Sequence, residues 1–191
     1  EPVYIKALEN LRKLETTGVL VREKKPHLYV YRQTMGQHSQ CAVMCCCHVE
    51  DYEKNIILKH EKTRKDKEDD RRTHIMTLRT HTGPVFLTYR DVPEIDAIVA
   101  ETIAGRPLFD FVAADGIDHT VWRMKREGKA VRLFASVPVA YIADGHHRAA
   151  ASARVAAELR AANPGHTGNE EYNWFMAALF LCALCIVSLL Q

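Results

Sequence analysis

The sequence predicts an α+β fold from three observations. Stretches with helical spacing, short hairpin-like runs around turn residues, and one apolar strand handing over to an alanine-rich helix follow each other without regular alternation. That order favours α+β over a doubly wound parallel sheet. At 191 residues with 47% hydrophobic content, a single domain spanning 1–191 is expected.

Tyr4, Leu8, Leu11 and Leu14 recur at helical spacing, and Gly18 follows as a stop, so the chain opens with an amphipathic helix. Val19 to Arg22 and His27 to Arg32 read as strands of a hairpin around Glu23-Lys24-Lys25-Pro26, with Tyr29 and Tyr31 on one face. The polar residues Gln33 to Gln40 read as a loop, and Cys41 to Val49 as a buried strand. Lys59 to Arg72 holds twelve charged residues in fourteen, seven basic and five acidic, the density of a solvated helix face continuing to about His81. A Gly83-Pro84 break precedes a strand, Val85 to Tyr89. Ile95, Ile98, Val99 and Ile103 mark a further amphipathic helix closed by Gly105. Leu108 to Val112 and His119 to Met124 flank Asp115-Gly116 as a second hairpin, and Val137 to Ala143 is a strand leading into the alanine-rich helix.

Composition excludes several classes. A net charge of +2 gives no dominant footprint for nucleic acid. Six cysteines, Cys41, Cys45, Cys46, Cys47, Cys182 and Cys185, are too few and too clumped for a disulfide scaffold and fit a reduced, cytoplasmic protein. Consecutive Cys45, Cys46 and Cys47 on a strand alternate between faces, so they do not converge on one zinc ion. Trp174 to Leu190 carries no charge and approaches bilayer-spanning length, but it lacks flanking Lys or Arg anchors. A buried strand or core helix could use the same residues, and a membrane span is not favoured.

The junction Asp144-Gly145-His146-His147-Arg148 is the most informative stretch. A helix start offers unpaired backbone N–H groups and roughly half a positive charge, which together make an anion site. Gly145 allows a sharp strand-to-helix turn and close approach of a ligand, Asp144 can cap the helix or hold a cation, and two imidazoles and a guanidinium supply charge-assisted donors. The bland alternative is a turn with a capping aspartate. Lys59-His60-Glu61-Lys62-Thr63 adds a phosphate-binding amine, a titratable imidazole and a carboxylate, against the reading of an ordinary charged surface.

In order, Tyr31-Arg32-Gln33-Thr34, Lys59-His60-Glu61-Lys62-Thr63, Asp66-Lys67-Glu68-Asp69-Asp70-Arg71, Gly83-Pro84-Val85-Phe86 and Tyr141 to Arg148 resemble a bacterial and archaeal domain-of-unknown-function family. That family resembles the free-serine kinases with a ParB/sulfiredoxin-like fold, and the resemblance covers roughly residues 4–180. It implies a mixed sheet with helices, and transfer of a phosphoryl group from ATP or ADP to free L-serine with Mg²⁺ assisting. It further implies catalytic roles for Asp144, as metal ligand or base, and for His146, while the joint chemistry of the two motifs predicts that Glu61 shares a catalytic site with Asp144. Gly145, His147, Arg148, Lys59 and His60 would bind nucleotide phosphate. His146 stands where sulfiredoxin has its reactive cysteine, so sulfinate repair is not expected. The resemblance also implies that this chain is an incomplete copy of a longer protein, with an atypical apolar tail at 181–191. The alternative function is a ParB-like nucleotide-binding module without kinase activity, acting as a regulatory or interaction domain.

Overall fold

A computed structural model describes residues 2–181. Helix α1 (Pro2–Thr16) precedes the strands β1 (Tyr29–Met35) and β2 (His38–His48), then α2 (Val49–Glu53), β3 (Ile57–Leu58) and α3 (Lys65–Leu78). The chain continues through β4 (Val85–Tyr89), α4 (Pro93–Ile103), β5 (Phe109–Val112), β6 (Asp118–Arg123), α5 (Glu127–Phe134), β7 (Ala140–Asp144) and α6 (His146–Ala161). A short 3₁₀ turn, Glu171–Asn173, leads into β8 (Trp174–Leu181).

The described strands form one mixed sheet in the order β3-β7-β4-β8-β2-β1-β6-β5. β3 runs parallel to β7 and β4 parallel to β8, while the remaining neighbours are antiparallel. The α+β expectation is met. Because side chains alternate along a strand, the sheet has two distinct faces. One carries Val30, Val43, Val85, Leu87, Phe175, Ala177 and Leu179, which join Ile95 and Ile98 of α4, Ala130 of α5 and Ala149 and Ala156 of α6 in the main core. The other carries a smaller cluster of Ala42, Ala178 and Phe180, with Met44 and Phe86 packed on it.

β8 explains the charge-free run at Trp174. Its residues lie between β4 and β2 in the middle of the sheet, buried on both faces from Ala177 to Phe180, so no position is left for a charge. No helix among the described residues is long and apolar enough to cross a membrane. The predicted features at 182–191, including Cys182 and Cys185, lie outside the described residues.

Three local expectations are corrected. Val19 to Arg22 is not a strand: Val19 and Val21 are exposed and no strand among the described residues pairs with them. The hairpin lies one segment later, and Gln33 to Gln40 is its end and not a loop. There Gln33 faces Gln40, Thr34 bonds Ser39 at 3.0 Å, and Gly36 turns the chain at a φ of +58°. Polar residues extend there because cross-strand hydroxyl and amide pairs hold a ladder that reaches past the core. Finally, the charged run is helical only from Lys65, and its helix stops at Leu78 with Arg79 in the left-handed region.

The charged run turns out to be an inter-helix brace. Arg72 pairs with Glu158, and Arg154 reaches Glu68 at 3.1 Å and Asp69 at 2.7 Å, so α3 is tied along α6. Tyr4 of α1 donates to Asp70 at 2.7 Å on the other side of α3. Alanines on α6, from Ala149 to Ala151 and at Ala156, are buried and let the helix lie close on the sheet. Together these contacts fix the start of α6 beside the end of β7.

Candidate anion-binding turn and its cleft

β7 ends at Asp144, and Gly145 stands at the helix boundary with a φ of +93°, a conformation in which an L side chain is strained. A Cβ there would also lie 2.9 Å from Nε and Nη2 of Arg148. Glycine is therefore demanded twice, by the backbone and by the guanidinium laid over it. The first intrahelical bond runs from Ala149 N–H to the Gly145 carbonyl at 3.0 Å, and no side chain caps the helix. The expected capping by Asp144 is not made; its Oδ2 instead accepts from Arg148 Nη2 at 2.7 Å. The N–H groups of His146, His147 and Arg148 stand in the uncapped first turn, as an anion site requires.

Asp144 and Arg148 also line a cleft of about 590 Å³ on the sheet face opposite the main core. Its floor is Tyr29, Tyr31, Met44, Phe86 and Phe180, with Gln33 and Pro84 at its sides. Tyr31 is held by a 2.6 Å hydrogen bond between its hydroxyl and His119 Nδ1, on a ring that stacks in turn on Phe111. Arg148 Nε is buried with no hydrogen-bond partner among the described residues, a donor that costs free energy until an acceptor meets it. Three of the sequence motifs thus converge here, through Tyr31 and Gln33, Pro84 and Phe86, and Asp144 and Arg148. Sequence reading missed Met44, Ala178 and Phe180; the alternation of β2 and β8 is the signal that places them on the face of Tyr31.

The remaining predicted residues gather on the other side of the turn. His146 is 4% exposed, and its Nδ1 lies 3.5 Å from Glu61 Oε2. The ring of His60 meets that of His146 edge-on, with centroids 4.5 Å apart. Burial, followed by the neighbouring His60, holds the His146 imidazole below its ordinary range, toward the neutral form. His147 Nε2 accepts the Arg64 backbone N–H at 3.1 Å, which assigns the ring proton to Nδ1 and pins the 59–64 loop to the start of α6. Lys59 is directed onto the ring of Tyr52, with Nζ 3.9 Å from its centroid. Thr63 donates to Glu68 and closes the loop onto α3. Neither His60, Glu61, His146 nor Lys59 lines the cleft.

The described cysteines stay where the strand places them. Cys41, Cys45 and Cys47 are partly buried, Cys46 is exposed, and among the described residues none joins a group of side chains arranged to hold a metal. Burial pushes the Cys41 and Cys46 thiols up, away from the reactive thiolate.

A family model described as "Protein of unknown function (DUF1015)" matches residues 1–183. The chain belongs to the DUF1015 family. No curated protein and no solved structure matches it. Within this DUF1015 chain the matched span takes in the cleft, the Asp144 to Arg148 turn and the loop from Lys59 to Thr63.

Proposed function

We propose that this DUF1015 chain transfers a phosphoryl group from ATP or ADP to a small hydroxylated acceptor, with free L-serine converted to O-phosphoserine, on a ParB/sulfiredoxin-like arrangement of sheet and turn. The observation that carries the reading is the convergence of separated motifs on one cleft whose end is an uncapped helix start with an orphaned buried guanidinium nitrogen. An aromatic floor suits a nucleoside, and the turn suits its phosphates.

In this reading the terminal phosphate rests on the N–H groups of His146, His147 and Arg148, and Arg148 Nε meets a phosphate oxygen. Acceptor and phosphoryl are thereby held in line, which is the main contribution a protein makes to this chemistry. The serine Oγ forms the new O–P bond as the bond to the leaving nucleotide oxygen breaks, and the hydroxyl proton passes to a carboxylate. Among the described residues Asp144 is the carboxylate lining the cleft; Oδ2 is taken by Arg148, which leaves Oδ1 for this task. One carboxylate together with phosphate oxygens is an ordinary donor set for Mg²⁺, which would neutralise developing charge, and Asp144 is the residue that would hold it. His146, with its ring buried, contributes through its backbone N–H.

The test is mass-spectrometric detection of phosphoserine from L-serine, Mg²⁺ and either ATP or ADP. Product from the wild type and none from Asp144→Ala is expected. For Asp144→Asn, turnover restored by raised Mg²⁺ assigns Asp144 as a ligand, and turnover lost at every Mg²⁺ level assigns it as the base. Nucleotide binding without product in the wild type would overturn the kinase reading in favour of a binding module that responds to nucleotide.

A further inference from the structure

We infer that His60, Glu61 and His146 form a site for a divalent first-row transition metal, beside the turn proposed to bind phosphate and different in donor chemistry from Mg²⁺. The inference rests on the side-chain cluster and not on the kinase reading.

One ligand atom from each of the three residues lies within 4.8 Å of the others. Two ligand atoms each about 2.1 Å from a tetrahedral ion are themselves roughly 3.4 Å apart. Glu61 Oε2 and His146 Nδ1, at 3.5 Å, already have that separation. His60 Nε2 stands 3.9 Å from Glu61 Oε1, and its side chain is 59% exposed, so its ring can close the remaining distance by a small rotation.

His60 and His146 come from segments 86 residues apart, and the loop carrying His60 and Glu61 is fastened to α6 by the Arg64 N–H to His147 bond. His146 Nε2 is buried without a hydrogen-bond partner among the described residues, so none of them orients the ring through that nitrogen. Nδ1, aimed at Glu61, is the nitrogen whose lone pair an ion can reach. Two imidazoles and a carboxylate suit zinc, cobalt, iron or nickel, whereas Mg²⁺ prefers an all-oxygen shell. Because His60 and Glu61 are exposed, the three ligands leave coordination positions open to water or to an anion.

The full chain, freed of metal by chelator, is titrated with Co²⁺ and read by its visible absorption, with Zn²⁺ and excess Mg²⁺ as competitors. One Co²⁺ per chain is expected, displaced by Zn²⁺ and retained against Mg²⁺. His60→Ala and Glu61→Gln alter exposed side chains and keep the fold testable. Each should weaken binding by more than the roughly 10- to 100-fold that follows loss of a supporting hydrogen bond. Absence of Co²⁺ binding, or binding that both variants leave unchanged, would overturn the inference. Sulfur-to-cobalt charge-transfer absorption would do the same by assigning the metal to the cysteines. The titration contains no nucleotide, so its failure leaves the kinase reading standing, and absence of phosphoserine leaves the metal site standing.

Discussion

Gly145→Ala separates the backbone's role in folding from its role in holding phosphate. At a φ of +93° an alanine carries strain of about 2 kcal/mol. For a chain of this size that corresponds to a melting temperature lower by roughly 4–8 °C. The added Cβ also meets Arg148 Nε and Nη2 at 2.9 Å. The guanidinium can swing aside cheaply, but it then leaves the position from which it would meet a phosphate oxygen. Losing one charge-assisted hydrogen bond worth about 1.5–3 kcal/mol weakens nucleotide binding roughly 10- to 150-fold. Gly116→Ala is the control, since Gly116 has a φ of +80° and open space where its Cβ would go. Thermal melts and calorimetric titration with ADP and Mg²⁺ read both effects. The two variants should lose comparable stability, and only Gly145→Ala should lose nucleotide affinity. Unchanged affinity in Gly145→Ala, or an equal loss in Gly116→Ala, would refute the assignment of the turn.

Leu87, fully buried on central strand β4, should cost about 2–5 kcal/mol as Leu87→Ala in denaturant unfolding. Backbone N–H groups of the Thr167–Glu170 turn lower the Glu170 carboxyl to about 2, from 4.5. The stability this contributes is complete above pH 4.5 and is lost as pH falls toward 2, so Glu170→Gln should flatten the acid side of a stability profile. The Asp96 carboxyl, desolvated and hydrogen-bonded to Asp91, is pushed up from 3.8 to about 6. The folded state then holds a proton that the unfolded state has released, so stability falls as pH rises from about 4 to 6; Asp91→Asn should shrink that fall and Asp96→Asn should remove it.

How much was legible in the sequence depended on whether burial or pairing decided each element. α1, β4, α4 and the β5–β6 hairpin show in the pattern because each carries its own apolar rhythm or turn residues. Gln33 to Gln40 misled because its strands are held by polar cross-strand pairs, and Val19 to Arg22 misled because an apolar run forms no strand without a partner. At the site, a strand-to-helix turn at Gly145 was legible from local chemistry. A common site for Glu61 and Asp144 was expected from shared chemistry, whereas the docking of Glu61 and His60 on His146, held by the Arg64 N–H to His147 bond, could not be read from charge density alone. The division between a cleft holding Asp144 and Arg148 and a cluster holding Glu61, His60 and His146 depends on which way side chains leave one helical turn.

The most direct test of the account is the response of the backbone amides of His146, His147 and Arg148 to ADP with Mg²⁺, followed by ¹H–¹⁵N NMR. These three N–H signals should shift together and saturably, with little change at the α3–α6 brace. Saturable nucleotide binding that leaves all three amides unmoved would contradict it.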